Sequence, residues 1–117
     1  MKKTLFIDID GTLVKHRGNL SKMFMEEMEI LPGVLEKFNE WDAKGYKIVL
    51  TTGRKECLRK ITEDGLLKLG IFYDQLVMGL TRGERVVIND IKPDNNMNVA
   101  TAHQIVRNQG LQNINID

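Results

Sequence analysis

Leu5-Phe6-Ile7-Asp8-Ile9-Asp10-Gly11-Thr12 is an apolar run that gives way to two aspartates, a glycine and a threonine. Leu5, Phe6, Ile7 and Ile9 suit a strand covered on both faces, as in the parallel sheets of α/β proteins. Asp8 and Asp10 interrupt that run at i, i+2 spacing, which puts both on one strand face. Buried charge is costly unless paired or metal-bound, so the acidic pair needs a partner, and a divalent cation is the simplest one. Gly11 permits a sharp turn immediately after them. A strand end followed by an acidic turn is the plainer interpretation, and the remaining strands decide between the two.

Working outward, Pro32-Gly33 precedes Val34, Leu35, Phe38 and Trp41, apolar residues at helical spacing that stop at Gly45. This spacing makes Trp41 a core residue rather than a stacking platform. Tyr46–Leu50 follows as a second strand, and strand, helix, strand in this order implies a right-handed crossover between parallel neighbours. The second strand ends in Thr51-Thr52-Gly53-Arg54, where a hydroxyl and the N–H groups opening the next helix make a reasonable phosphate cradle. An N-cap and turn is the bland alternative.

The following helix carries Leu58, Ile61, Leu66, Leu67 and Leu69, and Thr62-Glu63-Asp64-Gly65 is expected to break it in two. Gln75–Met78 is a third, shorter strand. Arg85-Val86-Val87-Ile88-Asn89-Asp90 then repeats the opening pattern, an apolar strand ending in an acid, with Asp94 four residues on and Pro93 keeping the loop extended. Asn95 to Asn98 offer caps for a closing helix whose face is Val99, Ala102, Ile105 and Val106, ended by Gly110. His103 is a surface or packing residue of that helix, and Asn113–Ile116 alternates like an edge strand.

The whole chain narrows the class. Its 117 residues are a single-domain length, and 42% hydrophobic with 28% charged residues is the balance of a soluble globular protein. A net charge of +1 gives no global reason to expect nucleic acid or membrane. The apolar run after Lys2-Lys3 is cut by Asp8 and Asp10 too early for a signal peptide, and no stretch approaches transmembrane length. Cys57 is the single cysteine, so an intrachain disulfide is excluded and a reducing cytoplasm is expected. Without a histidine beside it in sequence, Cys57 is an inert thiol rather than a nucleophile.

Asp8-Ile9-Asp10-Gly11-Thr12 resembles the first motif of the haloacid dehalogenase (HAD) superfamily of phosphatases, Thr52 before Gly53-Arg54 resembles the second, and Asp90 with Asp94 resembles the fourth. The resemblance covers residues 3–110. It implies a three-layer, Rossmann-like α/β fold with a central, mainly parallel sheet, and a Mg²⁺-dependent phosphatase acting through an aspartyl-phosphate. Asp8 would be the nucleophile and Asp10 the general acid and base. Thr52, with Thr51 in reserve, would hydrogen-bond the phosphoryl group, and Gly11, Thr12, Gly53 and Arg54 would line the substrate. Asp8, Asp10, Asp90 and Asp94 would hold the metal. The third motif, a lysine or arginine, is the departure: Arg85 is the choice, with Arg82, Lys55 and Lys92 behind it. Asn89 stands where many relatives have glycine or aspartate.

Cap domains common in that superfamily have no room here, so residues 1–117 are read as one capless domain with a flap over about 13–30. Lys15, His16 and Arg17 of that flap stand beside an anionic substrate or form a solvated turn. Met23, Met25 and Met28 pack the flap onto its own core in preference to a subunit contact. An open site suits a macromolecular substrate, or a small ester enclosed by a neighbouring subunit. The compact form resembles sugar-phosphate phosphatases, and near-neutral charge disfavours a nucleic-acid end, so a small sugar phosphate is the expected partner. Polynucleotide phosphatase and a non-catalytic phosphate-binding module are the alternatives.

Overall fold

In the computed structural model, residues 2–94 and 96–117 are described. The chain runs β1 (Thr4–Asp8), α1 (Leu20–Met25), α2 (Val34–Ala43), β2 (Lys47–Thr51), a 3₁₀ turn (Glu56–Leu58) leading into α3 (Arg59–Leu69), β3 (Gln75–Val77), β4 (Ile91–Lys92) and β5 (Met97–Asn98). The first three strands form a parallel sheet in the order β1-β2-β3, with Phe6 opposite Val49 and Asp8 opposite Thr51. This is the parallel α/β, Rossmann-like architecture the sequence implies, without a cap domain.

Alternation along these strands sorts the side chains. Ile7, Ile48 and Leu50 meet Val34, Phe38 and Trp41 of α2 and Leu66 of α3 in one core cluster. The α2 residues recur at i, i+4, i+7, and the Phe38 ring also meets the edge of Phe72. Burying an aromatic of this kind contributes about 3–5 kcal/mol, judged by the cost of truncating one. The opposite sheet face carries Phe6, Val49 and Val77, none of them in that cluster, and Phe6 is 69% exposed.

The flap closes on itself through Met28 and Ile30, whereas Met25, expected to pack with them, is 85% exposed. Val14 and Ile30 form an antiparallel bridge, Lys15 N–H donates to the Glu29 carbonyl at 2.8 Å, and Met28 and Ile30 pack against the core. The expected break in α3 does not occur. Thr62 is buried and turned to Arg54 rather than capping a new helix, and the bare Gly65 faces Met28, whose Sδ would stand 2.8 Å from any Cβ there. Packing of the flap explains a mid-helix glycine that propensity alone counts as a break. Cys57, in the 3₁₀ turn, is exposed.

Beyond β3 the structure departs from the sequence pattern. Arg85–Asp90 forms no strand, and residues 84–91 are exposed. Only eight residues, 78–85, separate β3 from Val86, whereas a parallel neighbour in the same sheet needs a crossover of about a dozen or more. The closing helix is also absent. Asn96 adopts positive φ and Met97–Asn98 pairs antiparallel with Ile91–Lys92, so the asparagine run serves a turn instead of a cap; Asn95 lies outside the described residues. Residues 113–116 form no strand, but Ile114 and Ile116 pack on the core and Leu111 is buried.

Residues 79–106 therefore make an arm anchored at both ends. Leu80 N–H donates to Thr52 O at 3.1 Å, and Asn108 N–H to Gly11 O at 2.8 Å. A chain of this length packs to a radius of gyration near 13 Å, and the observed 15.0 Å with a 51 Å long axis shows how far the molecule departs from that.

Candidate active site

Parallel strands bring their C-terminal ends to one edge, where ligands of open α/β sheets bind. β1 delivers Asp8 there, and register sets Thr51 of β2 beside it, half-exposed and on the same face. Thr12 Oγ1 donates to Asp8 Oδ2 at 3.2 Å, closing the turn that Gly11 makes at positive φ. The Asp8 side chain reaches solvent on one side, yet the protein around the strand tip displaces water from the rest. That burial holds its pKa above the ordinary carboxylate value, with the Asp10 charge adding, while the Thr12 bond and the Arg85 charge pull it down.

Asp10 is held differently. Arg54 Nε donates to Asp10 Oδ2 and Nη2 to Oδ1, both at 2.8 Å, a bidentate fork that binds geometry as well as charge. Arg54 is only 4% exposed. Its Nη1 donates to Thr62 Oγ1 at 3.0 Å and its own N–H to Thr52 Oγ1 at 3.0 Å. Thr52 is buried, and its hydroxyl anchors the arginine. Arg54, expected to line the substrate, is instead the clamp of Asp10, and Thr51 is the threonine nearest Asp8 along the sheet. Sequence spacing shows the arginine but not this pairing; the usable signal is the buried-face threonine at position 62, eight residues on.

Cations gather around the tip from outside it. The Arg107 side chain lies over Gly11, where its Cγ would be 3.1 Å from a Cβ, and Arg82 lies beside Gly53. Arg85, whose charge acts on Asp8, is fixed by donating to Thr81 O and Gly83 O. Lys55 precedes the 3₁₀ turn and is exposed, while Arg17 is tied into the flap by Glu26 and the Glu27 carbonyl. Between the flap and α3, Met23, Phe24, Met28 and Ile61 line a half-open cavity of about 240 Å³ that reaches Arg54.

The other expected metal residues are not brought here. Asp90 and Asp94 lie exposed on the arm, and both Asp10 oxygens are taken by Arg54. Among the described residues no three His, Cys, Asp or Glu side chains converge as a metal site would require. The residues of one chain therefore do not fit the Mg²⁺ that the resemblance implies.

The fold and the strand-tip acids thus define a small α/β domain with an acidic site at its sheet edge. The sequence matches no protein-family model and no curated protein. Solved structures are similar to it. A chain of a Pnkp1/Rnl/Hen1 complex aligns over 74% of this chain at 30% identity and TM-score 0.59. A chain of a Pnkp1/Rnl/Hen1 RNA repair complex aligns over 72% at the same identity and TM-score. A Vibrio cholerae protein, 24% identical over 81% of this chain and 86% of its own length with TM-score 0.52, shares the fold. The chain spans only about a third of the length of the RNA repair proteins it matches, 31% and 28%. No helix among the described residues is long and apolar enough to cross a membrane.

Proposed function

We propose that this domain is a phosphomonoesterase of the HAD type that removes a terminal phosphate from a polynucleotide. The observation that carries the reading is the pairing at the β1 tip: a solvent-reaching Asp8 beside an Asp10 locked in place by a buried arginine. Asp8 Oδ attacks phosphorus, the P–O bond to the leaving alcohol breaks as Asp10 gives that oxygen its proton, and an aspartyl-phosphate remains. Water then attacks that phosphorus, giving its proton to Asp10 and releasing Asp8 with inorganic phosphate. The Arg54 fork fixes the direction in which Asp10 presents its oxygens. Thr51 and Thr12 flank the phosphoryl group, and Arg85 balances the charge that accumulates on it.

Three observations favour a polynucleotide end over the sugar phosphate expected from sequence. Arg82, Arg85 and Arg107 surround the tip, although the whole chain is close to neutral. The cavity beside Phe24 offers an exposed aromatic on which a nucleobase can stack, in a mixed lining that also includes Glu26, Glu27, Asp64, Arg54 and Lys68. Similarity to chains of an RNA repair complex points the same way.

Phosphate release is to be measured on 3′- and 5′-phosphorylated oligonucleotides, sugar phosphates and an aryl phosphate, with and without Mg²⁺. Oligonucleotide ends are expected to turn over fastest, and Asp8→Asn to reduce every rate by about 10³-fold or more. Full activity in that variant overturns the nucleophile. Sugar phosphates turning over faster than every oligonucleotide overturns the substrate class.

A further inference from the structure

The arm returns to the body through a strap fastened to three places at once. Asn108 N–H donates to Gly11 O at 2.8 Å, in the turn between Asp10 and Thr12, and Asn108 Oδ1 accepts from His16 N–H at 2.9 Å, in the flap. Leu111 N–H donates to Pro32 O at 2.9 Å, ahead of α2, and the bare Cα of Gly110 lies against the same carbonyl. Asn108 meets both of its partners at φ +64°, a left-handed conformation that asparagine tolerates better than most residues with a side chain. Strain of this kind persists only where the surroundings over-determine it.

The strap presents Arg107. Its stem lies across the bare Gly11, with Cγ 3.1 Å and Nε 3.7 Å from where a Cβ would stand, and the residue is exposed. Arg17, Arg54, Arg59 and Arg85 each donate to protein groups. Among the described residues Arg107 has no hydrogen-bond or ion-pair partner. Nor do the acids beneath it call for one, because Arg54 holds both oxygens of Asp10 and Arg85 supplies charge that acts on Asp8. A guanidinium fixed at its stem and free at its head, beside the reacting acids but not on them, suits a phosphate other than the one being cleaved. Its planar fork of donors matches such an oxyanion bidentately.

We propose that Arg107 is a specificity-determining residue that grips the internucleotide phosphodiester next to the scissile terminal phosphate, and that Asn108 is the positioning residue that holds it there. The kinetic part of this inference rests on the polynucleotide phosphatase reading; the binding part does not. A monophosphorylated sugar has no second phosphate, so the contact sorts polynucleotide ends from small esters at a site without a cap domain. Gly11 then serves two ends, since its positive φ makes the turn and its missing side chain leaves room for the arginine stem.

Binding is read by fluorescence anisotropy of a labelled, unphosphorylated single-stranded oligonucleotide over a range of salt, where no turnover intervenes. Arg107→Gln is expected to weaken binding about tenfold and to reduce the slope of log K against log salt by about 0.7, the share of one phosphate contact. Lys47→Gln removes the same charge from the opening of β2, at the opposite edge of the sheet, and is expected to leave the slope as it is. A slope unchanged by Arg107→Gln, or reduced equally by Lys47→Gln, overturns the proposal. Asn108→Gly keeps the left-handed backbone and its N–H but loses the bond to His16. It is expected to weaken binding on its own and to add nothing in the Arg107→Gln background. Additive losses overturn the positioning role.

Kinetics locates the phosphate that Arg107 touches. In Arg107→Gln, kcat/KM for a terminally phosphorylated oligonucleotide is expected to fall about tenfold further than kcat/KM for an aryl phosphate, and to do so through KM. Equal losses on the two substrates put Arg107 on the scissile phosphoryl group and overturn its distal role. A wild-type protein that shows the Arg107-dependent slope yet releases phosphate from no substrate overturns the phosphatase reading and leaves the contact standing.

Discussion

Leu5-Phe6-Ile7-Asp8 and Val86-Val87-Ile88-Asn89-Asp90 are written in the same alphabet, yet the first is a strand and the second is exposed arm. Composition does not separate them. β1 reaches its partner through the flap and α2, which give the chain room to return parallel, and β2 reaches β3 through α3. Val86 has no helix behind it. A strand is thus a property of a segment together with the connection that leads to it, because its backbone groups have to find a ladder.

Truncation gives the widest contrast between the two regions. Phe38→Ala is expected to cost about 3–5 kcal/mol, whereas Ile88→Ala, at an exposed position, should stay within about 0.5 kcal/mol, both read by urea unfolding. A large effect of Ile88→Ala on monomer stability would show that the arm belongs to the core. Next in size is Arg54→Met. Leaving Asp10 without its buried partner should cost about 3–5 kcal/mol, and Thr62→Val, which removes one donor's acceptor, about 1–3 kcal/mol. If Arg54→Met unfolds at the wild-type denaturant midpoint, the clamp has no structural weight.

The smallest effect concerns Asp8 and pH. Its folded-state pKa is raised by burial, so between the unfolded value of 3.8 and that raised value the folded protein binds more protons than the unfolded chain. Stability contributed by this group therefore falls as pH rises through that window, and the loss is complete above it. Asp8→Asn is expected to raise Tm slightly at pH 7, with the difference vanishing below pH 3.8. An unchanged or lower Tm at pH 7 would show that the tip stabilises its own carboxylate.

How much of this was legible from sequence follows from the range of each interaction. β1, β2 and α2 were legible because their patterns are local, with apolar periodicity bounded by Gly45 and by the acids. The α2 core residues Phe38 and Trp41 followed from spacing alone. Asp8 and Asp10 declared themselves as polar interruptions of an apolar run. The Arg54 clamp was not legible, since it joins positions 44 residues apart and depends on Arg54 turning inward. Met28 filling the gap at Gly65 is likewise a tertiary fact that overrides a helix-breaking residue. The fourth strand and closing helix were over-read from good local patterns, because nothing in residues 86–90 records the shortness of residues 78–85.

The arm leaves the body at Thr52 and Met78 and comes back at Gly11, so its departure and return points are neighbours held by their own hydrogen bonds. Leu111, Ile114 and Ile116 then fasten the tail independently, with Lys44 Nζ reaching the Ile116 carbonyl at 3.1 Å. Loop-closure entropy grows only with the logarithm of length. The body is consequently indifferent to how long the outer part of the arm is, and residues 86–104, beyond Arg85 and short of the core-packed Ile105, form a graft point: segments can be lengthened or exchanged there while the acidic tip keeps its geometry.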